Sequence, residues 1–201
     1  MNDIIKPYTI CFLGKTGNGK SSLINALFDL ELPVDPLVSC TKELYAITKL
    51  TNSIHDYNAV TILDTPGIGE FSSNSIYQDY YHYAVSEADC VVLVLTMDRA
   101  DASSQRLVQD VIPFIDKNKH VRFVVAVNHI DSKTTGADWS YEPWDMVNNI
   151  PTKECSIRIE ERVKIIRQKF SDMFVEPLEI VPVCAVRKYG IDNLRSLIIN
   201  K

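Results

Sequence analysis

The sequence predicts an α/β domain in three layers, a six-stranded, mostly parallel sheet with helices on both faces. Short apolar runs rich in β-branched residues alternate along the chain with stretches of helical periodicity. Two of the runs, 90–96 and 121–127, are almost continuously apolar, as strands covered on both faces are. The first run leads directly into Gly14-Lys15-Thr16-Gly17-Asn18-Gly19-Lys20-Ser21, a complete GxxxxGK[ST] turn with a helical stretch behind it.

Taken in order, Tyr8-Thr9-Ile10-Cys11-Phe12-Leu13 supplies the β-branched and aromatic side chains of a buried strand over 8–13. The helix expected over 20–29 gathers Leu23, Ile24 and Leu27 on one side. Strands follow at 43–50 and 59–63, a helix at 75–87, a strand at 90–96 and a helix at 102–116. Asn118-Lys119-His120 ends that helix and opens into the strand at 121–127. The stretch 132–154, with Gly136, Trp139, Pro143, Trp144 and Pro151, is the least regular and reads as an irregular loop insertion. A helix over 156–173 carries Ile159, Val163, Ile166 and Phe170 at helical spacing, a stripe suited to a buried face. A strand at 179–183 and a helix at 191–199 complete the pattern. Neither repeats nor a linker interrupt it, so 1–201 is expected to be a single domain.

Hydrophobic residues make up 46% and charged residues 23%, which is the balance of a globular protein and argues against extensive disorder. A net charge of −5 gives no general reason to expect contact with a nucleic-acid backbone or a ribosome. Cys11, Cys40, Cys90, Cys155 and Cys184 are odd in number and contain no CxxC pair, against a disulfide framework or zinc site. Those beside apolar runs read as small buried thiols. The amino-terminus lacks the basic and apolar segments of a signal peptide, and no run approaches the ~20 apolar residues of a spanning helix. A cytoplasmic location is the expectation.

The turn at 14–21 has the chemistry of a nucleoside-triphosphate site. Its glycines let the N–H groups of residues 15–22 face phosphate oxygens, and the next helix adds the positive end of its dipole. Lys20 would lie between the outer two phosphates, and the Ser21 hydroxyl would face Mg2+, a cation that demands oxygen ligands. Lys15, Thr16, Gly17, Asn18, Gly19, Lys20, Ser21 and Ser22 are therefore the candidate phosphate contacts.

Further motifs fall at the ends of expected strands, where open α/β sheets bind ligands. Asp64-Thr65-Pro66-Gly67 matches DxxG, Asn128-His129-Ile130-Asp131 resembles NKxD, and Cys184-Ala185-Val186 resembles the SAK-type motif. Together they resemble the translation-factor-related class of P-loop GTPases, closest to Era-like bacterial members and, among those, the prophage-associated branch. That resemblance implies GTP or GDP with Mg2+ as ligand and GTP hydrolysis in a molecular switch. It implies metal contacts from Ser21, Thr41 and Asp64, with Ser39 competing for the role of Thr41. Lys20, Thr41 and Gly67 would act on the transferring phosphate. Asn128, His129, Asp131, Cys184, Ala185 and Val186 would surround guanine. Asp131 can accept two parallel bonds from guanine N1–H and N2–H2, a donor pair adenine lacks; alone, Asn128 and Asp131 also fit an Asx turn. A nucleotide-dependent binding module without appreciable hydrolysis is the alternative, and a P-loop ATPase or kinase a third reading. Members of the branch usually carry an additional C-terminal region.

Three positions depart from the family pattern. Ile68 follows Gly67 where Ras-like relatives place the glutamine that orients water, so hydrolysis is expected to be slow and to depend on another residue, a partner or dimerisation. Gly17 stands where some Era relatives use an asparagine to recruit potassium, so potassium stimulation is not expected. His129 replaces the NKxD lysine and offers an imidazole to stack on the base. Arg99 has the two readings of an internal arginine finger and a surface loop residue. Phe71, Tyr77, Tyr80, Tyr81 and Tyr83 combine helix core with a candidate surface for a protein effector or a second copy.

Overall fold

The computed structural model describes residues 5–34, 43–51, 54, 56–67, 75–97, 102–115, 119–132, 142–174 and 177–199. Strands β1 (Pro7–Leu13), β2 (Tyr45–Leu50), β3 (Ala59–Asp64), β4 (Cys90–Thr96), β5 (Arg122–Asn128) and β8 (Glu179–Pro182) form one sheet in the order β2-β3-β1-β4-β5-β8. Only β2 runs antiparallel, against β3; the other pairings are parallel. The expected six strands are all present.

Side-chain alternation builds both cores from the same strands. Tyr8, Ile10 and Phe12 of β1 with Cys90, Val92 and Val94 of β4 face α1 (Lys20–Phe28) and α5 (Ile191–Ile199). Cys11, Leu13, Val91, Leu93 and Leu95 face α2 (Ser75–Glu87), α3 (Ala102–Val111) and α4 (Lys153–Phe170). Every residue of β4 is buried, as a sheet centre requires. The predicted α4 stripe holds, with Ile159, Ile166 and Phe170 in the core and Val163 packed against it.

Three expectations need correction. The helix foreseen at 156–173 begins at Lys153, because Thr152 caps it by accepting from the Cys155 N–H; its last three residues form a 3-10 turn. The described part of the 132–154 insertion is ordered: β6 (Trp144–Asp145) and β7 (Ile150–Pro151) pair as an antiparallel hairpin. Strands of two residues show no alternation in a sequence. A third helix ends at Val111 and tightens into a 3-10 turn at Ile112–Phe114, where Pro113 removes a donor.

Candidate functional site

Strand order reverses at β1, whose neighbours are β3 and β4, and the loops at the carboxyl ends of β1, β3, β5 and β8 meet there. The turn from Gly14 to Gly19 leads into α1, whose N-terminus carries no side-chain cap and so keeps its N–H groups for a ligand. Gly19 has φ 79, and a Cβ on it would lie 2.5 Å from Asn128 Nδ2, so the position demands glycine.

Lys20 is buried, and its Nζ donates to the Gly14 carbonyl at 3.1 Å and that of Lys15 at 3.4 Å. Burial lowers its pKa to about 8 despite the opposing pull of Asp64. The Ser21 hydroxyl donates to Asp64 Oδ2 at 2.7 Å, joining the start of α1 to the end of β3. A hydroxyl and a carboxylate converging beside a lysine form the hard-oxygen set that fits Mg2+. Thr41 and its competitor Ser39, the remaining expected contact, lie outside the described residues, as do Ile68, Phe71 and Arg99.

Behind Asp64 the backbone is pinned from two sides. The Thr65 hydroxyl donates to the Phe12 carbonyl at 2.7 Å, and the Tyr81 hydroxyl on α2 donates to that of Pro66 at 2.8 Å. Gly67 then lies against the phosphate loop, where a Cβ would run into Thr16. Of the tyrosines expected in core or surface, Tyr81 is buried and Tyr83 exposed.

Asn128 ties three loops together. Its Nδ2 donates to the Asn18 carbonyl at 3.1 Å, and its Oδ1 accepts from the Ala185 N–H at 3.2 Å. His129, at φ 57, packs its imidazole over Gly19. The Asn18 side chain turns away into the sheet, donating to the Val94 carbonyl at 2.7 Å. A cleft of about 500 Å3 beside this junction is lined by Ser22, Asn25 and Asp29 on one wall and Ala185, Val186 and Lys188 on the other.

Asp131 Oδ2 accepts from Arg187 Nε at 2.8 Å. Burial is the main cause that raises the Cys184 thiol to about 11, and a hydrogen bond toward Asp131 adds to it. All described candidates therefore converge on one end of the sheet. Sequence reasoning missed Tyr81 as an anchor and Arg187 as a partner of Asp131; neither belongs to a motif, and only the arginine's place just after Cys184-Ala185-Val186 gave a signal.

Residues 9–129 match the family model described as 50S ribosome-binding GTPase. The chain belongs to that GTPase family. Among curated relatives of this GTPase domain, Escherichia coli (strain K12) YfjP is 30% identical over 180 residues, covering 88% of this chain and 55% of the relative. GTP-binding protein A of Dictyostelium discoideum is 25% identical over 195 residues, 92% of this chain and 41% of the relative. The chain thus spans about half the length of these relatives. Aquifex aeolicus Era, solved bound to GDP.AlF4-, shares the fold with a TM-score of 0.65 at 22% identity, over 97% of this chain and 56% of Era. The expected fold class and the expected resemblance to Era-like GTPases of the prophage-associated branch hold.

Proposed function

We propose that the chain is a single GTPase domain that binds GTP or GDP with Mg2+, hydrolyses GTP slowly, and signals through the difference between the two bound states. The observation that carries the reading is the pair of hydrogen bonds that link Asn128 to Asn18 and Ala185, which joins the phosphate loop to the base loops beside Asp131. Polyphosphate and purine then have one continuous seat.

In this reading the loop N–H groups and protonated Lys20 hold the phosphate tail and offset charge that develops as the γ-phosphoryl leaves. Ser21, Asp64 and Thr41 would hold Mg2+, whose contribution is to neutralise phosphate charge and align its oxygens. Gly67 lies close enough to Thr16 for its N–H to meet the γ-phosphate, and the Thr65 and Tyr81 bonds hold it there. With Ile68 after Gly67, no side chain at that position orients water, so turnover is slow and a protein effector or a second copy supplies what is missing. Guanine selectivity comes from Asp131, with the Ala185 N–H side of the β8 loop and the His129 ring around the base. The cytoplasm is the compartment that suits such a switch.

Single-turnover release of phosphate from bound GTP, with Lys20→Ala as control, is the test. A slow, Lys20-dependent release is expected. Nucleotide binding with no release at all would make the domain a binding module instead, and displacement of labelled GDP by equimolar ATP would remove the guanine assignment.

A further inference from the structure

We infer that Arg187, braced by the β6–β7 hairpin, is a positioning residue that sets Asp131 for base recognition. The inference rests on the guanine reading above and supplies what fixes its selectivity.

Asp131 and Arg187 are both partly shielded, their side chains 19% and 26% exposed, and joined Nε to Oδ2. A carboxylate offers about four lone-pair directions. The arginine takes one, leaving room for two parallel bonds from a purine edge. Fixing the carboxylate plane in advance spares the base the entropy of ordering it.

Arg187 is itself gripped by the hairpin. Its guanidinium lies over the Trp144 ring, 5.0 Å from the centroid, and Nη1 donates to the Met146 sulfur at 3.2 Å. The Arg187 carbonyl accepts from Asn149 Nδ2 at 3.1 Å, while Asn149 Oδ1 accepts from Trp144 Nε1 at 3.2 Å. Trp144 is buried and meets Tyr189 edge-on at 5.4 Å. An exposed ion pair alone contributes little, but a planar guanidinium held against a buried indole has one orientation to offer. The hairpin and the base-reading carboxylate are thereby one mechanical unit.

The chemistry gives a signature that a general structural role would not. Guanine and hypoxanthine differ by the exocyclic amino group that bonds the second carboxylate oxygen. A held Asp131 distinguishes them, whereas a rotating one accepts from N1–H alone and values the two bases nearly alike.

Calorimetric titration of the full chain with GDP, inosine diphosphate and ADP, each with Mg2+, tests this. In the unaltered chain GDP binds tightest and ADP weakest. Arg187→Ala is expected to weaken GDP roughly tenfold, to bring the GDP-to-inosine ratio toward one and to leave ADP unchanged. Arg187→Lys recovers part of the loss, and Trp144→Phe, which keeps a ring under the guanidinium, retains the ratio. Should Arg187→Ala not fold, Arg187→Gln is read in the same way. An unchanged GDP-to-inosine ratio, an equal loss for all three nucleotides, or tighter GDP binding would overturn the inference. Equal binding of GDP and ADP by the unaltered chain would instead overturn the guanine reading beneath it.

Discussion

At the scale of single residues, Lys20 carries a pH dependence whose sign follows from its burial. Its pKa falls from the ordinary 10.5 to about 8 in the folded chain, so the unfolded chain binds more protons between those values. Without added nucleotide the folded protein bears the full cost of the buried charge below pH 8 and is relieved of it as pH rises toward 10.5. Bound phosphates hold the proton on, so GDP affinity should be flat below about pH 8 and fall above it by up to about tenfold per unit. Titrations from pH 6.5 to 9.5 check this, with Lys20→Met separating the lysine from the base's own titration; parallel profiles for the two proteins would refute it. Asn18 gives a second expectation. Gly17 offers no side chain and the Asn18 amide is turned onto Val94, so turnover in KCl and NaCl should agree within about twofold, and stimulation by potassium would show that another group recruits the ion. Most of the site was legible because its motifs are local: the spacing from Gly14 to Ser21, or from Asn128 to Asp131, places groups within a turn of one another. Arg187 was not, since nothing in a single sequence tells that residues 144, 149 and 187 meet.

Among the elements, α2 is coupled to the phosphate site through the hydrogen bond from Tyr81 to the Pro66 carbonyl. Tyr81→Phe keeps the ring in the core and leaves that buried carbonyl without its donor. The expected cost is about 1–3 kcal/mol, which for a domain of this size lowers the melting temperature by roughly 2–4 °C per kcal/mol. Thermal unfolding measures it, and an unchanged midpoint would mean that the loop after β3 is held without this bond. α1 is fastened differently: Arg195 of α5 donates through Nε and Nη2 to the Leu27 carbonyl, at 3.0 and 2.8 Å, and so closes the C-terminal end of the helix whose N-terminus faces the phosphates. The five described helices and the six strands of the main sheet, down to the four residues of β8, were legible from period and composition. The β6–β7 hairpin was hidden by its brevity, and the early start of α4 at Lys153 was signalled only by Thr152 as a cap, a cue weaker than the prolines and tryptophans around it.

For the molecule as a whole, the two cores are backed onto each other through β1, β4 and β5, so damage to either face lowers the stability of the one sheet whose strand ends carry the site. Phe170, fully buried at the end of α4, belongs to the face away from α1 and takes no part in the candidate site. Phe170→Ala should cost about 3–5 kcal/mol, the range for removing a buried aromatic ring. A ligand seated on loops from β1, β3, β5 and β8 requires the sheet intact and binds only the folded chain. GDP at about a hundred times its dissociation constant should therefore return about 2.7 kcal/mol to the variant and to the unaltered protein alike. Urea unfolding with and without GDP decides the matter. Equal increments in both proteins mean that the core variant loses stability without losing the seat. A smaller increment in Phe170→Ala would mean that the α4 face sets the geometry of the loops above it, and no increment in either would leave the strand-end site without its ligand.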